Sequence, residues 1–240
     1  MIKNYVAFDL ETTGLDVEQD YIIEIGALKV IDGKVCDRFM EFLKPPIAIP
    51  KQIQIITGID DSMVACARET EMIIRDFATF CEGNMLVGHN ILFDYKFMKK
   101  YMNAYRIPFE KQGIDTLKIA RKVHRGMESK SLGTLCEHYN ITNKAAHRAY
   151  HDALATAKVY HMLAHEFETE YSELFQPECL QYKPKKVQPC TAKQIEYLQL
   201  LCKYHHLPVP KEATGLTRSE ASKLIDSIIS EHGLMRFEER

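Results

Sequence analysis

At 240 residues, with 46% hydrophobic and 27% charged side chains, the chain has room and composition for one ordinary globular domain plus a small appendage. It holds no apolar run near the ~20 residues of a membrane span, no secretion-signal pattern in MIKNYVAFDL, and seven cysteines with no pair at two-residue spacing, which excludes a secreted disulfide scaffold and predicts a cytoplasmic protein with reduced thiols. The net charge of −2 argues for no function by itself; a binder that relies on phosphate neutralisation alone is usually clearly basic, so if this chain handles nucleic acid, metal ions must supply part of the positive field.

Tyr5–Leu10 alternates, with Val6, Phe8 and Leu10 on one face, and reads as a strand. A turn at Thr12–Asp16 leads to a second strand over Ile22–Ile31. Asp32-Gly33 signals a hairpin, and Val35–Leu43 runs back as a third strand. Pro45, Pro46 and Pro50 then interrupt regular structure. Ile73, Ile74, Phe77 and Phe80 space a helix over Glu69–Cys81, closed by Gly83. Met85–Val87 predicts a short buried strand, followed by helices over Asn90–Tyr105, Thr116–His124, Ser131–Tyr139 and Ala149–Phe175. Strands first, then strand and helix alternating, predict an α/β fold over residues 1–175, a mixed sheet flanked by helices. Gln176–Pro189, with three prolines plus Lys183, Lys185 and Lys186, reads as a linker. Residues 190–240 then form a small helical module. Thr191 caps a helix reaching about His206, and Thr217, with Glu220 at the capping-box position, starts another.

Chemistry concentrates in three segments. Asp9 and Glu11 stand two apart at the end of the first strand, so both carboxylates face the same side. Asp94 lies in GHNILFD, in the first turn of a helix and on the same face as Asn90; an acid among Phe93 and Phe97 is costly to bury without a partner. Asp152 sits early in a long amphipathic helix, with His147 five residues before it. Four carboxylates from separated segments offer the oxygen ligands of a two-magnesium site.

FDLETTG, GHNILFD and the His147–Asp152 spacing resemble the three motifs of the DEDDh (DnaQ-like) exonucleases, and ITGIDDSMV, IDTLKIARK and SLGTLCEHYNI resemble the segments between them. The resemblance covers roughly Lys3–Glu168 and is closest to the proofreading (epsilon) branch of that family. It implies a ribonuclease H-like fold, 3′→5′ hydrolysis of terminal phosphodiesters to nucleoside 5′-monophosphates, and two Mg2+ or Mn2+ ions. Carried over by position, Asp9 would bridge both ions, Glu11 and Asp152 would complete the site of one, and Asp94 would support the other. His147 would be the general base, a role that suits histidine's titration near neutrality. Thr12, Leu15 and Asn90 would contact the substrate, Leu15 as an apolar wedge near the last bases. Thr57 departs from the pattern, in which histidine is common, and is left out of the expected site. The implied partners are single-stranded or frayed 3′ ends of DNA, with RNA as the alternative, and a DNA polymerase subunit. An idle polymerase-recruiting module is disfavoured because all five site residues are present.

Other patterns have simpler readings. His161 and His165, four apart, read as a solvated helix face, and Phe93, Tyr95 and Phe97 as helix core. Lys96, Lys99, Lys100, Arg121, Lys122 and Arg125 fit either a solvated face or phosphate tracking along a single strand.

Overall fold

Strand β1 (Tyr5–Thr12) is buried on both faces, and its alternate residues feed two separate cores: Val6, Phe8 and Leu10 enter one, Tyr5 and Ala7 the other. The computed structural model describes residues 1–183, 188–208 and 216–234. Ile22–Ile31 (β2) and Lys34–Phe42 (β3) continue from β1 as an antiparallel meander. Met85–Gly88 (β4) and Gln112–Asp115 (β5) add to its other side in parallel, and Glu178–Cys179 (β6) ends that edge antiparallel. The six-stranded sheet therefore has the order β3-β2-β1-β4-β5-β6, the mixed ribonuclease H-like sheet flanked by helices.

Two short helices, α1 (Lys51–Thr57) and α2 (Asp61–Val64), follow the prolines. One face of the sheet is covered by α3 (Thr70–Phe80) and α4 (Ile91–Ala104), whose Phe77, Tyr95, Phe97 and Met98 join Val6, Phe8 and Leu10. The other is covered by α5 (Thr116–Val123), α6 (Leu132–His138) and α7 (Ala149–Phe167). The buried side of α7 includes Ala149, Ala153, Ala155, Ala157 and Ala164. Such small side chains let a helix lie close to a sheet, and alanine costs no side-chain entropy in a helix.

Three expectations need correction. The last long helix stops at Phe167, and Ser172–Phe175 forms a separate 3-10 turn that buries Phe175. The short elements α1, α2, β5 and β6 were not predicted. The linker does not begin at Gln176, because the first compact unit runs Met1–Lys183. Within that stretch β6 pairs with β5, the Leu180 amide donates to the Lys111 carbonyl at 2.9 Å, and the Leu180 side chain is buried in the α3/α4 core. Residues 184–187 of the expected linker lie outside the described residues.

The second unit holds α8 (Ala192–Tyr204) and α9 (Arg218–His232), each opened by a reciprocal capping box, Thr191 with Gln194 and Thr217 with Glu220. A bridge between Pro189 and Thr217 joins the two starts, and His205 contacts the Gly233 carbonyl near both ends, so the helices run side by side in the same direction. Leu198, Leu201, Cys202, Ile225 and Ile228 form their core. Among the described residues no helix is long and apolar enough to cross a membrane.

The placement of Leu180 yields a first prediction. A chain ending at Lys183 unfolds cooperatively in urea, whereas one ending at Phe175 loses at least the roughly 1.5–3 kcal/mol associated with burying one leucine. Circular dichroism along the urea titration reads both; equal midpoints would show that β6 and Leu180 contribute nothing.

Candidate active site

Because alternate strand residues share a face, Asp9 and Glu11 continue the side of β1 on which Tyr5 and Ala7 meet α7. Their neighbours across the antiparallel pairing are Gly26 and Glu24, and a bulge follows Glu11. Gly26 sets how close α7 comes. A Cβ there would lie 1.9 Å from the Tyr150 amide nitrogen and 2.1 Å from the Ala149 carbonyl carbon, so the helix backbone rests directly on the strand. The first turn of α7, which carries Asp152, is thereby set beside Asp9.

Asp152 is buried, and both its oxygens are used. Asn143 Nδ2 donates to Oδ1 at 2.6 Å, and the His147 backbone N–H donates to Oδ2 at 2.8 Å. His147 has a left-handed φ of 62°, a conformation uncommon outside glycine and here fixed by that hydrogen bond. Its imidazole is exposed and shares one locus with the carboxylates of Glu11 and Asp152: ligand atoms of the three lie within 4.8 Å of one another. Asp94 approaches from the opposite layer. It is buried in the first turn of α4 and accepts the Leu10 amide at 3.0 Å, which ties α4 to β1 between Asp9 and Glu11.

Burial, and then the charges of Asp94, Asp152, Glu11 and Glu24, hold the Asp9 carboxyl well above the usual carboxylate range. Burial first and then Asp152 and Glu24 push Glu11 up to about 8, partly offset by the cation of Arg148. Asp94 is raised by burial, against the hydrogen bond from Leu10, and Asp152 by burial, against those from Asn143 and His147. Such a set lacks positive charge, and its oxygen donors with one imidazole suit a hard divalent cation.

The expected substrate residues differ in how free their side chains are. Leu15 is 84% exposed, an unusual place for a leucine. Thr12 is buried and its hydroxyl donates to the Gly14 carbonyl at 2.7 Å, so it fixes the turn after β1. Asn90 is exposed with φ 68° and makes no side-chain cap bond to α4, while its N–H donates to Asp115. The Thr57 hydroxyl is consumed by the backbone, donating to the Ile53 carbonyl and accepting from the Ile59 amide. Tyr95, Phe97 and Lys99 are buried, Lys99 paired with Glu110, whereas Arg121, Lys122, Arg125, His161 and His165 are exposed.

Residues 6–160 match the sequence family described as RNase_T, exonuclease. The chain belongs to that exonuclease family. It is 34% identical over 168 residues to the epsilon subunit of DNA polymerase III of Aquifex aeolicus, a match spanning 70% of this chain and 83% of that one. It is 39% identical over 156 residues to the PolC-type DNA polymerase III of Caldanaerobacter subterraneus subsp. tengcongensis, where the match covers 65% of this chain and 11% of the relative. The chain thus spans about a tenth of the length of the PolC-type relatives. Among solved structures it is similar to exonuclease X in complex with 5′ overhanging duplex DNA (26% identity, TM-score 0.56, 68% of this chain and 92% of that one). Exonuclease I shares the fold at 18% identity, with a TM-score of 0.63 over 72% of this chain and 42% of that one. The matched region, residues 6–160, is thus a domain of a family of nucleases.

Sequence reasoning missed four residues that build the site: Glu24, Gly26, Asn143 and Arg148. Glu24 carried a signal, an acid inside the otherwise apolar IIEIGALKV, where burial demands a partner. Gly26 carried a weaker one, a glycine within a strand, which marks close backbone approach.

The site makes two predictions. Gly26→Ala forces the start of α7 off β2 and lowers stability by more than the ~1–3 kcal/mol usual for overpacking, because the clash is with backbone; urea unfolding measures it, and an unchanged midpoint would refute the close approach. The second concerns pH. A carboxyl with a raised native pKa binds its proton more tightly when folded, so its contribution to stability is complete below its ordinary value and lost as pH rises through the native one. For Glu11 that interval runs from 4.5 to about 8. In chelator the melting temperature therefore falls as pH rises across this interval, and saturating divalent cation flattens the fall. A pH-independent Tm in chelator would remove the repulsion argument.

Proposed function

We propose that this protein is a 3′→5′ exonuclease that removes nucleoside 5′-monophosphates from single-stranded or frayed 3′ ends of DNA, in replication proofreading or repair. The observation that carries the reading is the convergence of Glu11, His147 and Asp152 within 4.8 Å at the end of β1, with the charges of Asp9 and Asp94 acting on the same locus. The choice of DNA is supported by the names of the relatives, an epsilon subunit and PolC-type polymerases. The same names support a DNA polymerase as partner.

Asp9, Glu11, Asp94 and Asp152 would hold two divalent ions, Mg2+ or Mn2+. Bound there, they would supply Lewis acidity at the scissile phosphate and relieve the carboxylates' mutual repulsion. The chain's own part is positional. Asp152 fixes the backbone of His147 through Oδ2 and is itself steadied by Asn143 through Oδ1. A ring nitrogen of His147, exposed beside Glu11, takes the proton of the attacking water. Asp94 ties α4 to β1 through the Leu10 amide, between Asp9 and Glu11, which share one face of the strand. Leu15, projecting just beyond the turn fixed by Thr12, packs against the terminal bases, and Asn90 meets the strand from the start of α4.

The test uses single strands of DNA and RNA labelled at the 5′ end. Cleavage stops in chelator and returns with Mg2+ or Mn2+; a bulky 3′ block protects the strand and a 5′ block does not. His147→Ala lowers turnover by roughly 10²–10⁴-fold, the usual span for a general base, while His151→Ala changes it far less. Rapid cutting of closed circular strands would refute exonuclease action, RNA cleaved in preference to DNA would move the reading to RNA trimming, and equal losses in the two histidine variants would remove His147 as base.

A further inference from the structure

We propose that Glu24 and Arg148 form a positioning pair that caps α7 from the neighbouring strand and so sets His147 and Asp152 against Glu11. The first N–H groups of a helix lack intrahelical partners and need acceptors from elsewhere. In α7 the N-cap residue is Arg148, whose side chain gives no cap hydrogen bond. The acceptor comes instead from β2: Glu24 Oε2 takes the Ala149 amide at 3.0 Å. A carboxylate at a helix N-terminus is also favoured by the helix dipole.

Glu24 is 3% exposed, and a buried carboxylate is sustained only by dense pairing. Arg148 supplies it, with Nη2 at 2.9 Å from Oε1 and Nε at 3.2 Å from both carboxylate oxygens, while its guanidinium carbon lies 5.5 Å from the centre of the Phe42 ring. This fork holds one geometry that a lysine could not reproduce.

The pair stands at the junction that matters. Arg148 is the residue between His147 and the first turn of α7, and Glu24 is the cross-strand neighbour of Glu11. One side chain of β2 therefore grips the start of α7 beside the strand position that carries Glu11. A shift in that grip moves His147 and Asp152 together relative to Glu11. The role assigned to the pair rests on Glu11, His147 and Asp152 being the catalytic set.

The experiment compares Glu24→Gln, Glu24→Ala, Arg148→Lys and Asp152→Asn in the full chain. It reads kcat and KM on single-stranded DNA well below the melting temperature, and amide exchange without metal. Asp152→Asn should be nearly inactive. Glu24→Gln, which keeps an acceptor for Ala149, should lower kcat about 10-fold and Glu24→Ala about 100-fold, the span seen when a partner behind a metal-ligand shell is removed, with KM within about twofold. Arg148→Lys should retain more activity than Glu24→Ala. In the Glu24 variants the amides of Ala149 and His147 should exchange faster, while those of Val159 and Leu163 keep their protection. If Asp152→Asn keeps full activity, the catalytic reading itself falls. With Asp152→Asn inactive, wild-type kcat in the Glu24 variants, or exchange accelerated uniformly along α7, overturns the positioning role. Should Glu24→Ala fail to fold, Glu24→Gln and Arg148→Lys carry the same comparison.

Discussion

Like charges repel most where water is scarce, because the low-dielectric interior screens them least. Asp9, Glu11, Glu24, Asp94 and Asp152 are brought together at one end of the sheet in that condition, and the Asp9 carboxyl is held above its usual range first by burial and then by the charges of the other four. Each surrounding device answers this repulsion. Leu10 offers its amide to Asp94, Asn143 and His147 offer N–H groups to Asp152, and Arg148 with the start of α7 serves Glu24. Asp9 and Glu11 are the two whose charge is left least answered by protein. An acid withdrawn from water is destabilising unless it takes up a proton or meets a cation, and on the proposed function divalent ions would supply that counter-charge.

Topology decides where this can happen. The parallel strand β4 ends beside the middle of β1, level with about Phe8, and the chain leaving it turns into α4, which delivers Asp94 to the part of β1 that runs on beyond. In open α/β sheets that end of the strands is where ligands meet the fold. The antiparallel β2 contributes differently: with only hydrogen at Gly26, the backbone of α7 sits in contact with the sheet. The helix that packs the second core is thus also the one that carries Asp152, and core packing and site geometry are one problem.

Much of this was legible in the sequence. The alternation of Val6, Phe8 and Leu10 and the spacing of Ile73, Ile74, Phe77 and Phe80 report burial, and burial is what periodicity encodes. Asp9, Glu11, Asp94 and Asp152 stand out because acids interrupt apolar patterns at element ends. The scaffolding of the site was harder to read. Arg148 and Asn143 look like ordinary polar residues of a loop, and their meaning depends on partners 124 and 9 residues away. Asp115, which caps α5 and also accepts the Asn90 amide, is likewise visible only once β4 and β5 lie side by side. The two-residue β6 has no period at all, and its contribution is the anchoring of Leu180 in a core built by distant segments.

The same electrostatics order the encounter with substrate on the proposed function. A chain of net charge −2 offers a polyanion no general attraction, and the carboxylate cluster repels phosphate locally. Arg148, the cation acting on Glu11, is engaged by Glu24 and so is poorly placed to receive a phosphate. Productive approach of a strand therefore requires the cluster's charge to be neutralised first, which makes cation occupancy a condition of substrate binding as well as of chemistry. The exposed residues expected to meet substrate fit that order. On that reading Leu15 and Asn90, both exposed, would contribute apolar contact and hydrogen bonding, terms that orient a strand end already held by its phosphates.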